Sequence, residues 1–381
     1  MSRSQPKRYQ LKKEAVGAVR QGHPWVYRSR VSTAATVFKS GQWLQLVGAQ
    51  NETLGYGLYE DDGLIAIRVF KQGATAPDAR WVQGKIDKAL ARREALRKYS
   101  DGFRAIHGEN DWLPGIVVDV YGDTAVLQTY ANSVDTLGRY VGAAIASRLK
   151  LRNLVWKFPV KRKLTKENRV LRGHLPREIK IREGKLNLTI PVGEGQKSGA
   201  FLDLRGLRKW VATQKLDGKR VLNLFSYTGT LGLAAEVAGA KEIWNVDISA
   251  GALGVAKRLH VLQAKKHKWI EADIFEWLAK LDPKEKFDLI IVDPPMMASR
   301  TTQVDTALRA YRKLYRESQK HLAAKGLIVG CCCTSRIPRS TFEQTVSQCL
   351  SGMRKQAVIA PEDDHPVSFP EGDYLKIVVY R

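Results

Sequence analysis

The sequence predicts a multidomain α/β protein with three parts. These are a small N-terminal β-barrel over residues 1–72, a central α+β domain over 73–186, and a C-terminal Rossmann-like domain with a mostly parallel sheet over 187–381. Three observations carry this expectation. A chain of 381 residues is too long for one ordinary core. Its opening stretch alternates short strand-like runs with glycine breaks. From Lys219 onward, strands and helices alternate as they do when a parallel sheet is covered by helices on both faces.

In chain order, the runs Trp43 to Val47, Leu54 to Tyr59 and Leu64 to Phe70 are broken by Gly41, Gly48 and Asp61-Asp62-Gly63, which suits a small barrel. From Trp81 to Tyr99, Ile86, Ala89, Leu90 and Leu96 recur at helical spacing among many charges. Strand signals return at Gly115 to Val120 and Ala125 to Tyr130, before a helical Val134 to Leu149 and a strand-like Leu154 to Phe158. In the last domain the expected strands are Arg220 to Leu224, Glu242 to Val246, Lys268 to Glu271, Phe287 to Val292 and Leu327 to Gly330. The clearest helix between them is Thr306 to Ala323.

Composition narrows the class of function. With 44% hydrophobic residues and no long apolar stretch, the chain reads as globular, without a membrane span. The basic start, Met1 to Lys13, lacks the apolar core of a secretion signal, so a cytoplasmic location is expected. Three of the four cysteines are consecutive, which fits neither a disulfide framework nor the paired spacing of a zinc site. Reduced thiols are expected, with no metal. A net charge of +25 favours a polyanionic partner. Basic residues thicken between Lys157 and Lys185, at Lys161, Arg162, Lys163, Lys166, Arg169, Arg172 and Arg177. That run reads equally as a phosphate-binding surface or as a solvated linker.

Motifs collect where the predicted strands end, the place at which open α/β sheets bind ligands. The segment Val221-Leu222-Asn223-Leu224-Phe225-Ser226-Tyr227-Thr228-Gly229 runs from a strand into a small-residue helix start, so backbone can approach a ligand closely. Asp247, followed by Ile248, ends the next strand, where a carboxylate can take both hydroxyls of a ribose. Asp273 follows the third strand, where an acid can take an adenine amino group while Ile274 covers the ring. Each aspartate alone reads as a helix N-cap; three at successive strand ends read as a cofactor pocket. Asn223, Phe225, Tyr227, Thr228, Gly229, Asp247, Ile248, Asp273, Ile274, Asp293 and Pro294 make up the expected lining. The phosphate loop GxxxxGK[ST] is absent. An adenosine cofactor without that loop, beside a reacting carboxylate, points to S-adenosylmethionine.

The chemistry is written at two further strand ends. The run Phe287 to Val292 leads into Asp293-Pro294-Pro295, and the run Leu327 to Val329 leads into Cys331-Cys332-Cys333. A thiolate with a neighbouring carboxylate suits covalent addition to a pyrimidine ring. In an extended strand Cys331 and Cys333 share one side and Cys332 faces the other.

These residues resemble a known family. Gly195-Gln196-Lys197-Ser198-Gly199-Ala200-Phe201-Leu202-Asp203-Leu204-Arg205, followed by Phe225 to Gly229, is similar to the RlmI-like bacterial ribosomal RNA large-subunit cytosine-5 methyltransferases. The likeness spans nearly the whole chain. His23-Pro24-Trp25-Val26-Tyr27 and Gly55-Tyr56-Gly57-Leu58-Tyr59 resemble the family's PUA domain, and Leu113 to Asp119 its central domain. Asp364-His365-Pro366 and Phe369 to Lys376 resemble its C-terminal end. The resemblance implies a class I methyltransferase domain that takes S-adenosylmethionine. It puts Gln196, Lys197 and Ser198 in the cofactor cleft, Phe225, Tyr227 and Gly229 on the methionine side, Asp247 at the ribose and Asp273 at the adenine. It also implies that Cys333 is the nucleophile, with Cys332 as runner-up, and that Asp293 holds the base.

The implied product is 5-methylcytidine in large-subunit (23S) ribosomal RNA, formed through a covalent cysteine adduct, and the resemblance allows a homodimer. Two departures from the family stand out: Met296-Met297 where Lys-Phe is common, and Cys332 and Thr334 in place of serines around the nucleophile. Arg336 is the sequence-near cation for the thiol. Two other readings remain open at this point. One is a guanine or exocyclic-amine methyltransferase, which needs no cysteine; the other is a non-catalytic RNA-binding assembly factor.

Overall fold

The computed structural model describes residues 5–32, 35, 37–159, 162, 167–193 and 199–381. The chain divides into two compact units. The first comprises Met1–Ile181, Ile190–Leu202 and Asp363–Phe369; the second comprises Arg182–Thr189, Asp203–Glu362 and Pro370–Arg381. Among the described residues no helix is long and apolar enough to cross a membrane.

The first unit holds two five-stranded sheets. In one, β1 (Lys7–Gln10), β2 (Trp25–Tyr27), β3 (Trp43–Val47), β4 (Thr53–Tyr59) and β5 (Ile65–Gln72) lie in the order β1-β3-β4-β5-β2. Only β1 and β3 run parallel. Its core joins Leu44, Leu46, Ile67 and Val69 to Ala15 and Val19 of α1 (Lys13–Arg20). The expected barrel is found as this open ladder: among the described residues, no pairing joins β1 to β2.

In the other sheet, β6 (Gly102–His107), β7 (Ile116–Tyr121), β8 (Thr124–Thr129), β9 (Asn153–Trp156) and β10 (Arg169–Arg172) run in the order β10-β9-β8-β7-β6. The helices α2 (Ala79–Arg92) and α3 (Asp135–Arg148) bury Val82, Ile86, Val141 and Ile145 in the same core as Val118 and Leu127. Asp78 caps α2 by accepting the Trp81 amide at 2.7 Å, the usual service of aspartate at that position. β11 (Ile179–Glu183) and β12 (Leu186–Ile190) form a separate two-stranded ribbon.

The second unit is built on a seven-stranded sheet of β13 (Arg220–Leu224), β14 (Glu242–Asp247), β15 (His267–Glu271), β16 (Phe287–Val292), β17 (Leu322–Cys332), β18 (Lys355–Val358) and β19 (Lys376–Tyr380). Its order is β15-β14-β13-β16-β17-β19-β18. The first five strands are parallel, whereas β19 runs antiparallel to both its neighbours. The central strands are nearly continuous apolar runs, as burial on both faces demands.

Around this sheet lie α4 (Arg205–Ala212), α5 (Thr230–Val237), α6 (Ala250–Leu259), α7 (Ile274–Lys280), α8 (Val304–Lys320) and α9 (Arg339–Cys349). Strand order reverses between β13, which continues to β14, and β16, which lies on its other side. Ligands in open sheets collect at the carboxyl ends of the strands flanking such a reversal. The register makes those ends level: Leu224 pairs with Val292 and Val292 with Gly330. The next residues along the three strands are Phe225, Asp293 and Cys331.

Candidate cofactor and thiol site

The turn after β13 is strained. Phe225 and Tyr227 hold left-handed φ values of 59° and 46°, and Gly229 follows at 75°. Two non-glycine residues in that region within three positions are a conformation that side chains resist and that functional sites retain. Hydrogen bonds hold it in place: Ser226 N donates to Val246 O at 3.0 Å, Gly229 N to Ser226 O at 2.8 Å, and Tyr227 N to Asp247 Oδ2 at 2.7 Å. A Cβ on Gly229 would lie 2.9 Å from Ala256 Cβ, so the approach of α6 also demands glycine. The Thr228 carbonyl accepts from His260 Nδ1 at 2.6 Å.

The acids differ in their commitments. Asp247 is half-buried and spends one oxygen on Tyr227 N and the other on Ser249 N at 2.9 Å. Each carboxylate oxygen keeps a second lone pair for a ribose hydroxyl. Asp273 is exposed and caps α7, its Oδ1 accepting Phe275 N at 2.9 Å and Glu276 N at 3.1 Å. Ile248 is 68% exposed beside Asp247, free to lie on a ring, whereas Ile274 is buried in the core with Leu278 and Ile290. Asn223 is also buried, and its amide donates to Asn245 Oδ1 at 3.0 Å. It begins a polar chain that continues through His267 to Glu236. Its side chain therefore braces β13 against β14. Gln196, Lys197 and Ser198 lie outside the described residues.

The cysteine end of β17 lies level with the carboxylate end of β16. Pro294 is buried, Asp293 is half-buried, and Cys333 Sγ donates to Pro294 O at 3.6 Å. Cys333 is partly exposed, while Cys331, Cys332 and Cys349 are buried. Burial, and then the Asp293 carboxylate that it faces, push the Cys331 thiol well up. Cys332 points the other way, into the core with Tyr311, Tyr315 and Phe342. Burial followed by the neighbouring Cys332 raises the Tyr311 hydroxyl. Met297 packs against that core, whereas Met296 is exposed.

A residue that sequence reasoning missed stands beside the cysteines. Lys376 begins β19 opposite Cys332, and its buried ammonium donates to the Thr334 carbonyl at 2.6 Å. Arg336, the cation expected from sequence, is exposed instead. Only the antiparallel return of β19 could have revealed Lys376, and that pairing is non-local.

The basic run is divided in its use. Lys157 is buried and donates to Val192 O at 2.8 Å. Arg162 clasps Asp135 at 2.9 and 3.0 Å and donates to the Thr129 carbonyl at 2.8 Å. Arg169 and Arg172 on β10 are exposed. Lys161, Lys163 and Lys166 lie outside the described residues.

The geometry fits an adenosyl sulfonium cofactor: a close-approach turn, an acid with spare lone pairs at the second strand and an exposed isoleucine after it. Comparison with known proteins agrees. Residues 107–373 match the family of S-adenosylmethionine-dependent methyltransferases, and residues 10–72 match the PUA-like domain. A ribosomal RNA large subunit methyltransferase of Deinococcus radiodurans is 33% identical, over 97% of this chain and 96% of that protein. Ribosomal RNA large subunit methyltransferase I of Shewanella amazonensis is 31% identical, over 98% and 99%.

Among solved structures, a candidate S-adenosylmethionine-dependent methyltransferase from Streptococcus mutans superposes with a TM-score of 0.84 at 20% identity, covering 98% of this chain and 99% of that one. A candidate methyltransferase complexed with SAH gives 0.85 at 19% identity, with the same coverage. Those two likenesses speak to the fold. With a strained turn and ribose-competent acid at the sheet's reversal point, and with the family match spanning most of its length, the chain belongs to the S-adenosylmethionine-dependent methyltransferases that carry an N-terminal PUA-like domain.

Proposed function

We propose that this chain methylates carbon 5 of a cytosine in large-subunit ribosomal RNA through a transient covalent bond to Cys333. The observation that carries the reading is the partly exposed Cys333 thiol against the Pro294 carbonyl, one residue from Asp293. The names of the relatives support ribosomal RNA as the substrate class.

When bound, S-adenosylmethionine supplies an electrophilic methyl group. Cys333, as thiolate, adds to carbon 6 of the ring, and the electron pair pushed onto carbon 5 takes the methyl. Asp293 accepts a hydrogen bond from the ring's amino group and steadies it as charge shifts. Transfer of the carbon 5 proton to a base then lets the thiolate leave, which restores the aromatic ring. Cys332 has no part in this, because its thiol lies in the core. The target base must leave its stack to reach the thiol, so single-stranded or loop RNA is the natural substrate. In this reading residues 1–72 bind RNA, 73–186 form the central domain, 187–381 carry the methyl transfer, and the protein works in the cytoplasm.

Incubation with methyl-labelled cofactor and ribosomal RNA, followed by digestion to nucleosides, tests the reading. Labelled 5-methylcytidine is the expected product, and a labelled purine would overturn it. RNA carrying 5-fluorocytidine at the target should give a denaturation-stable protein–RNA adduct, because carbon 5 then has no proton to lose.

A further inference from the structure

Lys376 is 1% exposed, and its Nζ donates to the Thr334 carbonyl at 2.6 Å and the Tyr374 carbonyl at 3.3 Å. Among the described residues no carboxylate lies within 4.0 Å of it, so the ammonium is buried without an ion pair. A buried unpaired cation is a poor choice for stability alone. The acceptor that it holds at the shorter distance is the carbonyl of Thr334, the residue after Cys333. The groups facing the ammonium are Cys332 and Cys333 from the end of β17, Asp373 beside it in sequence and Arg339 of α9. Burial depresses its proton affinity, and the two cysteines and Asp373 oppose that effect. Around the cysteines themselves stand Asp293 from β16 and Tyr311 and Tyr315 from α8. Among the described residues that face these groups, Lys376 is the buried cation.

We propose that Lys376 is the positioning residue of the thiol, its charge favouring the thiolate of Cys333 and its hydrogen bond fixing the Thr334–Ser335 peptide. This rests on the reading of Cys333 as nucleophile. A nearby fixed cation stabilises a thiolate over a thiol, and a low-dielectric surrounding strengthens the effect. The neighbouring Asp293 carboxylate would otherwise oppose ionisation. Lysine also reaches Thr334 only because β19 returns antiparallel beside β17, which ties the C-terminal strand to the reactive end of the sheet.

The test is the pH profile of iodoacetamide alkylation at Cys333 in the full-length protein, read by mass spectrometry of the cysteine-bearing peptide, with Cys333→Ala as blank. Lys376→Met should move the midpoint upward by about one pH unit, so that alkylation at neutral pH slows roughly tenfold. Lys376→Arg should keep the midpoint. Lys376→Gln, which retains a donor for Thr334 but no charge, should shift like methionine while melting like the wild type. An unchanged midpoint in both neutral variants would overturn the proposal, since loss of packing alone does not move it. Methyl transfer by Lys376→Gln should recover as pH rises, with cofactor and RNA affinities unchanged; activity lost equally at every pH would also count against it. Failure of the wild type to form the 5-fluorocytidine adduct, with the alkylation shift intact, would sink the proposed reaction and leave the electrostatic role standing.

Discussion

Asp247 Oδ2 accepts the backbone amide of Tyr227 at 2.7 Å, so the acid ending β14 also fixes the turn that follows β13. Removing it in Asp247→Ala should unhook Tyr227 and Ser249 together and cost about 1–2 kcal/mol of stability. If Asp247 holds the ribose, calorimetric titration should show cofactor affinity falling by roughly tenfold or more. Asp247→Asn, which keeps one acceptor oxygen, should lose less on both counts.

The two adjacent cysteines should respond in opposite ways. Cys333→Ala should lower methyl transfer by on the order of a thousandfold, with cofactor and RNA affinity intact. Cys332→Ala should keep turnover but lower stability by about 1 kcal/mol, because it opens a small void among Tyr311, Tyr315 and Phe342. Single-turnover kinetics beside thermal melts separate the two.

Glu242 gives a pH signature. Burial would raise its carboxyl, but hydrogen bonds from Trp244, Lys268 and Arg220 outweigh that and hold it down from 4.5 to about 2. A carboxyl depressed by folding stabilises the native state above its unfolded value, and the gain is lost as pH falls through the folded one. Glu242→Gln should therefore be less stable than the wild type at neutral pH. The difference should fade between 4.5 and about 2 in a series of urea melts. A gap that stays constant across that window would remove the explanation.

The basic run should separate by role. Arg162→Ala should cost about 2 kcal/mol of stability, as a largely buried Asp135 loses its guanidinium partner. Arg169→Ala and Arg172→Ala should change stability by less than about 0.5 kcal/mol. If β10 contacts RNA, each should lower the slope of log affinity against log salt by about one. Binding isotherms at several salt concentrations decide this, and an unaltered slope would take β10 out of the RNA surface.

Much of the catalytic half was legible in sequence because its signals are local. Apolar runs gave β13 and β16 at their observed ends, and strand alternation alone put Cys332 opposite Cys331 and Cys333. What failed to show were features fixed by distant pairing. β19 is only five residues long, and its partner β17 precedes it by more than forty positions, so nothing local marked Lys376 as a neighbour of the cysteines. Lys157 and Arg162 likewise counted as free cations until Val192 and Asp135 were placed beside them. Asn223 sits within the expected cofactor motif, yet its amide nitrogen is spent on β14. Among the described residues the outer strands of that sheet, β1 and β2, pair only inward, so its ladder is open.

Residues 363–369 complete the first unit although nearly the whole second unit precedes them in the chain. Arg93 and Arg104 bind this late segment through the Asp364 carbonyl and carboxylate. On a translating ribosome, then, the amino-terminal unit stays incomplete until residues 363–369 have been made. No single cut of the gene yields either half intact, and the two are inherited together.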